Sequence, residues 1–265
     1  MLNTVRTLAR HGSLLYRWVL FSITVTYAES VFGFAWVVAQ PVIRSLLFTF
    51  IAAYVFRARI APGTGPADYA VYILCGMIPW LALQQGVIAA TNSVINYRHI
   101  VTEMIFPMHI LPIYGVIAET FTQLVGFAVL AGLLIFTDYG VGPHLLWLVV
   151  PIAGQFLFAA GLGYLLACFA VWVRDLVQIM PHFFYVWMIL SPLYYTGDML
   201  PEKARIILKL NPVSGMFNMY HDVVMNARAP AARDVLIFSL TAAAVFAVGS
   251  AVFDRLRYYA VDQLG

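Results

Sequence analysis

Few side chains in this sequence could do chemistry, and they do not cluster. A transferase or hydrolase working at a membrane needs paired carboxylates, a histidine acid–base group or a metal. The chain has no D-x-D, no H-E-x-x-H and no G-x-S-x-G, and His221–Asp222 is an isolated doublet. No G-x-x-x-x-G-K-[ST] is present to cradle a triphosphate, so any ATP hydrolysis belongs to another chain. Cys75 and Cys168 lie inside apolar runs, where a thiol behaves as a small hydrophobe, and they indicate neither a disulfide framework nor a metal site. The informative residues are charges in apolar surroundings. Arg44 and Glu119 each sit deep in a long apolar stretch, roughly 20 Å and 16 Å in at 1.5 Å per residue. An ionisable group in hydrocarbon is costly and turns to protein or water. Two readings fit: an Arg44–Glu119 pair that holds two spans together, or the lining of a polar path. Gln123 follows Glu119 by one turn on the same face, and Gln84, Gln85, Gln155, Gln178 and His182 are further polar intruders. Helix-to-helix hydrogen bonds explain such residues at roughly 0.6–2 kcal/mol each.

The elements that position these residues follow from composition. The 265 residues are 63% hydrophobic and 10% charged with a mean hydropathy of +0.87, which makes this an integral membrane protein. The net charge of +3 comes from scattered single residues, with no basic run to track a nucleic acid. A span needs about 20 mostly apolar residues, and six stretches qualify: Val31–Phe56, Tyr69–Ala90, Met108–Phe136, His144–Val173, Val177–Tyr195 and Val235–Leu256. Turn chemistry separates them, and six spans return both termini to one side. Lys and Arg do not set the orientation, because seven fall on each side. In residues 1–18, Arg6, Arg10 and Arg17 recur opposite Leu8, Leu14, Leu15 and Trp18, as in a helix lying in the membrane interface. The alternative is the basic start of a signal peptide. With no internal repeat, a single membrane domain accounts for the chain.

Six ordered blocks carry a resemblance. "YAESVFGFAWVVAQP" (27–41) has Tyr27, Ser30, Gly33, Trp36 and Pro41 in a spacing that resembles the opening of ABC-2 type exporter permeases, especially those for O-antigen and capsular polysaccharide. "GMIPWLALQQGV" (76–87), "NSVINYRHIVTEMIFPMHILPIYGV" (92–116), "VRDL" (173–176), "SPLYYTGDMLP" (191–201) and "LNPVSGMFNMYHDVVM" (210–225) resemble later blocks of that family in the same order. The chain departs from the family at "SITVT" before Tyr27 and at Glu103, where basic residues are usual. The resemblance implies an all-α integral membrane fold of six transmembrane helices, with an N-terminal amphipathic interface helix, a cytosolic coupling helix and two short re-entrant helices on the outer side. One domain covers 1–265: an interfacial helix at 1–29, the six-helix core at 31–256 and a cytosolic tail at 257–265. It further implies a homodimer in the bacterial inner membrane with both termini cytosolic, and a pair of ABC ATPase subunits that bind ATP and Mg. The cargo would be a lipid-linked polysaccharide, with a periplasmic export partner left open. A drug or small-lipid exporter, or one for a teichoic-acid-like polymer, is the alternative.

The same resemblance distributes the site residues. The polar stretch holding Asn96, Tyr97, Arg98, His99, Ile100 and Glu103 is the expected coupling helix; from the residues alone it reads as a surface loop. Asn92, Ser93 or Asn96 is expected to cap it, Ile95, Ile100, Val101, Met104 and Ile105 to supply apolar contacts, and Pro107 to break it before the next span. Arg44, Glu119, Gln123, Trp187, Tyr194 and Tyr195 are candidates for the translocation path, since aromatic rings offer flat apolar faces to the C–H faces of sugars. An interfacial belt is the plainer account of those rings. Pro201, Asn211, Pro212, Phe217 and Tyr220 belong to the outer gate helices, with Asn211 as a cap and Pro212 as a first helical residue. If Arg44 and Glu119 pair, Arg44→Gln and Glu119→Gln lower assembly and transport together. Loss of both in the Arg44 variant alone would exclude the pair.

Overall fold

In hydrocarbon, backbone N–H and C=O groups have no water to bond, so apolar runs of this length close their hydrogen bonds internally as helices. A computed structural model describes residues 2–28, 33, 35–50, 65–104, 106–135 and 139–264, and every regular element among them is helical. In chain order these are α1 (Leu2–Arg10), α2 (Gly12–Ala28), α3 (Ala35–Phe50), α4 (Pro66–Asn96), α5 (Arg98–Glu103) and α6 (Ile110–Leu134). A 3-10 turn, Pro143–Leu148, leads into α7 (Val149–Trp172), followed by α8 (Asp175–Ile189), α9 (Arg205–Leu210), α10 (Ser214–Val224) and α11 (Ala232–Leu264).

Among the described residues, four helices are long and apolar enough to cross a membrane: Asp68–Asn96, Ile110–Leu134, Pro143–Trp172 and Ala232–Ala260. They correspond to the second, third, fourth and sixth predicted spans. The first is described over Ala35–Phe50, where α3 packs on α4 and α6; its ends and the loop to residue 64 lie outside the described residues. The fifth is shorter than expected. α8 stops at Ile189, about 22 Å from its start, and residues 190–196 turn away. The cause is local. Pro192 disfavours helical geometry at Ser191, whose hydroxyl donates back to the Trp187 carbonyl at 2.8 Å while its own carbonyl accepts from Leu193 N–H at 2.7 Å.

α4 is the hub. Pro66 occupies its first turn, Asp68 Oδ2 accepts the Gly65 N–H at 2.7 Å, and 67% of its spanning window is buried, against 28–39% for the other three. Its length separates two cores. At one end Ile73, Trp80, Phe184, Phe217 and Tyr220 are fully buried; at the other Leu111, Tyr164, Ala167 and Phe253 are. The latter end also gathers both termini, since Thr4 Oγ1 donates to Asp254 Oδ2 at 3.4 Å.

Between lipid-immersed helices there is little hydrophobic drive, so association depends on close approach at small residues. α7 and α11 cross at Gly161 and Gly249. A Cβ on Gly249 would fall inside contact distance of the Gly161 carbonyl oxygen, and one on Gly161 would lie 2.5 Å from Phe246 N. Gly249→Ala therefore forces the helices apart and lowers the thermal midpoint in detergent, at a cost of about 1–3 kcal/mol. Gly132→Ala, with nothing within 4 Å of the new Cβ, holds or raises it by helix propensity; equal behaviour of the two would refute the crossing.

Candidate functional site

At the end that gathers both termini, α4 passes into α5 through Tyr97. Asn96 ends α4, and no side chain caps α5; Ser93 instead donates to the Ala90 carbonyl at 2.6 Å from within α4. Val101 is buried and Ile100 half-buried, whereas Arg98, His99, Thr102 and Glu103 face outward. Met104, expected in the apolar contact, is 66% exposed, and Ile105 lies outside the described residues. His99 and Glu103 form an exposed i,i+4 contact at 3.8 Å, which contributes little on its own. What fixes α5 is aromatic. Trp18 of α2 meets Tyr97 edge-on at 4.8 Å and also packs on Phe106 and Tyr114 at 5.4 and 5.6 Å.

Next to this lies a cluster the sequence reading missed. His109 Nε2 is 2.7 Å from Asp254 Oδ1, Arg257 Nη1 is 3.1 Å from His109 Nδ1, and Tyr164 OH donates to the His109 carbonyl at 2.9 Å. A guanidinium only donates, so Nδ1 accepts and Nε2–H points at the carboxylate; the imidazole is neutral. The signal was available: "FPMHILP" places a histidine just after the predicted helix break, and Asp254 and Arg257 stand three apart on one helical face.

Midway along the bundle, Gln123 is buried in a ring of hydrogen bonds. Gln155 Nε2 donates to Gln123 Oε1 at 2.9 Å and to the Pro79 carbonyl at 3.0 Å; Gln123 Nε2 donates to Tyr220 OH at 2.7 Å, which donates to Gln155 Oε1 at 2.7 Å. Thus α4, α6, α7 and α10 are joined at one point. Glu119 is half-buried beside a cavity of about 30 Å³ that Gln123 also lines, and α3, which carries Arg44, packs on α6. The side chain of Arg44 is not among those described.

At the far end, the turn after α8 is clamped to α4. Tyr69 OH donates to the Tyr194 carbonyl at 2.8 Å, and Tyr72 OH lies 3.0 Å from the carbonyls of Pro192 and Tyr195. Tyr195 OH donates to the Ile189 carbonyl at 2.9 Å. Trp187, ringed by Trp80, Phe183 and Phe184, donates its indole N–H to Asn211 Oδ1 at 3.0 Å. Asn211 does not cap α10. Its Oδ1 accepts from Val213 N–H at 3.2 Å in a local turn, its amide reaches Ser191 Oγ at 2.9 Å, and the helix starts only at Ser214. Pro201 and Pro212 are exposed, and Pro201 precedes a 3-10 turn at Glu202–Ala204 that leads into α9. Phe217 and Tyr220 are fully buried, Phe217 stacking on Trp80 at 6.1 Å. His221 stacks on Tyr72 at 4.1 Å, and burial pushes its imidazole down to about 4, so it is uncharged at neutral pH. Asp222 then closes the turn to α11, accepting from Arg228 Nε at 2.9 Å, Asn226 Nδ2 at 3.1 Å and Ala231 N–H at 3.2 Å.

Gln123 therefore has an internal bonding role. Gln123→Leu leaves Gln155 and Tyr220 short of partners and lowers stability by about 1–3 kcal/mol, read as a drop in thermal midpoint. An unchanged midpoint with altered transport would return Gln123 to the path.

The family description "ABC-2 type transporter" matches residues 17–225. The O-antigen export system permease protein RfbA of Klebsiella pneumoniae is 28% identical over 242 residues, 89% of each chain, and that of Myxococcus xanthus is 25% identical over 263 residues, 97% of each. The chain belongs to the ABC-2 type transporter family, as a permease subunit related to those of O-antigen export systems.

Proposed function

We propose that this chain is the membrane subunit of an ATP-driven exporter that moves a lipid-linked polysaccharide, O-antigen or capsule, outward across the bacterial cytoplasmic membrane. The observation that carries the reading is similarity along 89–97% of the chain to permeases of O-antigen export. Two copies make the path, and two ATPase subunits supply the ATP and Mg site that this chain lacks. α5 is the coupling helix: a short helix seated by Val101 and the Trp18–Tyr97 contact, with Arg98, His99 and Glu103 outward. Joined directly to α4, it transmits a displacement that a flexible loop would absorb. That end is cytosolic, with both termini. α3 and α8 complete six spans, α1 and α2 lie along the interface, and α9 and α10 dip back from the outer side. Arg44, Glu119, Trp187, Tyr194 and Tyr195 line or border the path. ATP binding and hydrolysis on the partner would shift the population between closed and open arrangements.

Deleting the gene in its own organism tests the cargo. Surface polysaccharide is lost and polymer builds up inside; the intact gene restores export. Val101→Pro, which breaks α5 at its buried anchor, restores none and no longer co-purifies with the ATPase. Normal surface glycan in the deletion strain would assign the chain to a drug or small lipid instead.

A further inference from the structure

The end of the bundle opposite α5 contains a bay of about 720 Å³ between α9, α10 and the start of α11. Tyr72 lies at its wall and Asn96 adjoins α5, so the two ends stand about 36 Å apart along α4 at 1.5 Å per residue. The bay changes character along its depth. Arg233, Ile237 and Thr241 follow one another at i, i+4 and i+8 on a single face of α11, about 12 Å of wall. Arg233 stands at the first turn of a spanning helix, where hydrocarbon gives way to water, and Ile237 and Phe238 lie on the spanning side of it. Leu208 and Leu210 of α9 supply apolar surface on the other wall.

Its two cations lack an ion-pair partner among the described residues. Among the basic residues of the segment joining α8 to α11, Arg205 approaches Asp198 at 3.9 Å and Arg228 is held by Asp222. Lys209 and Arg233, the two that line the bay, are exposed and form no salt bridge among the described residues. The carboxylate in the bay, Asp234, accepts from Asn218 Nδ2 at 3.1 Å, and His221 is neutral. Two cations that form no salt bridge among the described residues, at a membrane boundary and beside an apolar wall, describe a receptor for an anionic amphiphile. The anion most membrane lipids present at this level is a phosphate ester.

We propose that this bay binds the phosphate-bearing head of a lipid in the leaflet at that face. Lys209 and Arg233 hold the phosphate oxygens in charge-assisted hydrogen bonds, and the lipid chain lies along Ile237 and Leu210. The inference uses only the position of the bay at a membrane boundary, so it stands whether the exported cargo is a polysaccharide or not.

Titration calorimetry on the full chain in maltoside detergent, which carries no phosphate, tests it with farnesyl phosphate, farnesol and inorganic phosphate. Farnesyl phosphate binds more tightly than either of the others. The double variant Lys209→Gln, Arg233→Gln weakens it by at least about tenfold, one to two charge-assisted bonds, with the ligand-free thermal midpoint unchanged. Lys203→Gln, a basic residue of the same segment that does not line the bay, leaves the affinity as it was. Farnesol binding as tightly as farnesyl phosphate would make this an apolar groove, and inorganic phosphate binding as tightly would make it a free-anion site. Unchanged affinity in the double variant, or equal weakening by Lys203→Gln, would also overturn the assignment. Lys209→Gln alone repeats the test on an exposed side chain with no partner to lose, should the double variant fold poorly.

Discussion

Gln123, Gln155 and Tyr220 close a ring of hydrogen bonds in the buried middle of the bundle, and the arrangement beyond it depends on that closure. Each of these groups would be costly alone in an apolar interior. Together they satisfy one another, with the Pro79 carbonyl taking the remaining amide proton. The ring draws α4, α6, α7 and α10 to one point, and only α10 among them is short. An eleven-residue helix has little cooperative stability of its own. It keeps its place because Tyr220 is tied from below while Phe217 stacks on Trp80 and His221 on Tyr72.

Once α10 is placed, the segment around it has few other options. Asn211 precedes it and meets Trp187 and Ser191, so the turn that ends α8 is held against the same assembly. Asp222 follows and collects donors from three residues, Asn226, Arg228 and Ala231, to set the entry of α11. The bay between α9, α10 and α11 is what remains between elements fixed from different directions. Its two cations, Lys209 and Arg233, form no salt bridge among the described residues.

The opposite end works by different means. There the contacts are aromatic and charged: Trp18 against Tyr97, Phe106 and Tyr114, and the neutral His109 between Asp254 and Arg257. These tie the N-terminal helices, the start of α6 and the end of α11 around α5. α4 connects the two ends as one continuous helix, gripped at Ala89 and Ala90 by Gly115 of α6 and Gly163 of α7. A displacement of α5 thus reaches a helix that also carries the Tyr69 and Tyr72 clamps.

By itself the sequence determined the membrane class, four of the spanning helices and the break at Pro107, whereas the short helix before it came only with the family resemblance. These follow from run length, hydropathy and proline, which act over a few neighbouring residues. It marked Gln123 by its polarity in apolar surroundings and Trp187 by its ring, placed Tyr220 on an outer helix, and gave Asn211 the role of a cap. Tertiary structure decided that Gln123 bonds inward to Gln155, 32 residues away, and that Asn211 staples a turn to Trp187 rather than capping a helix. It also brought His109 to Asp254 across 145 residues, a meeting that local spacing does not encode. A polar group in hydrocarbon must find a partner, and which partner it finds depends on how the helices cross. Those crossings are set by glycines such as Gly161 and Gly249, whose effect appears only when a second helix arrives.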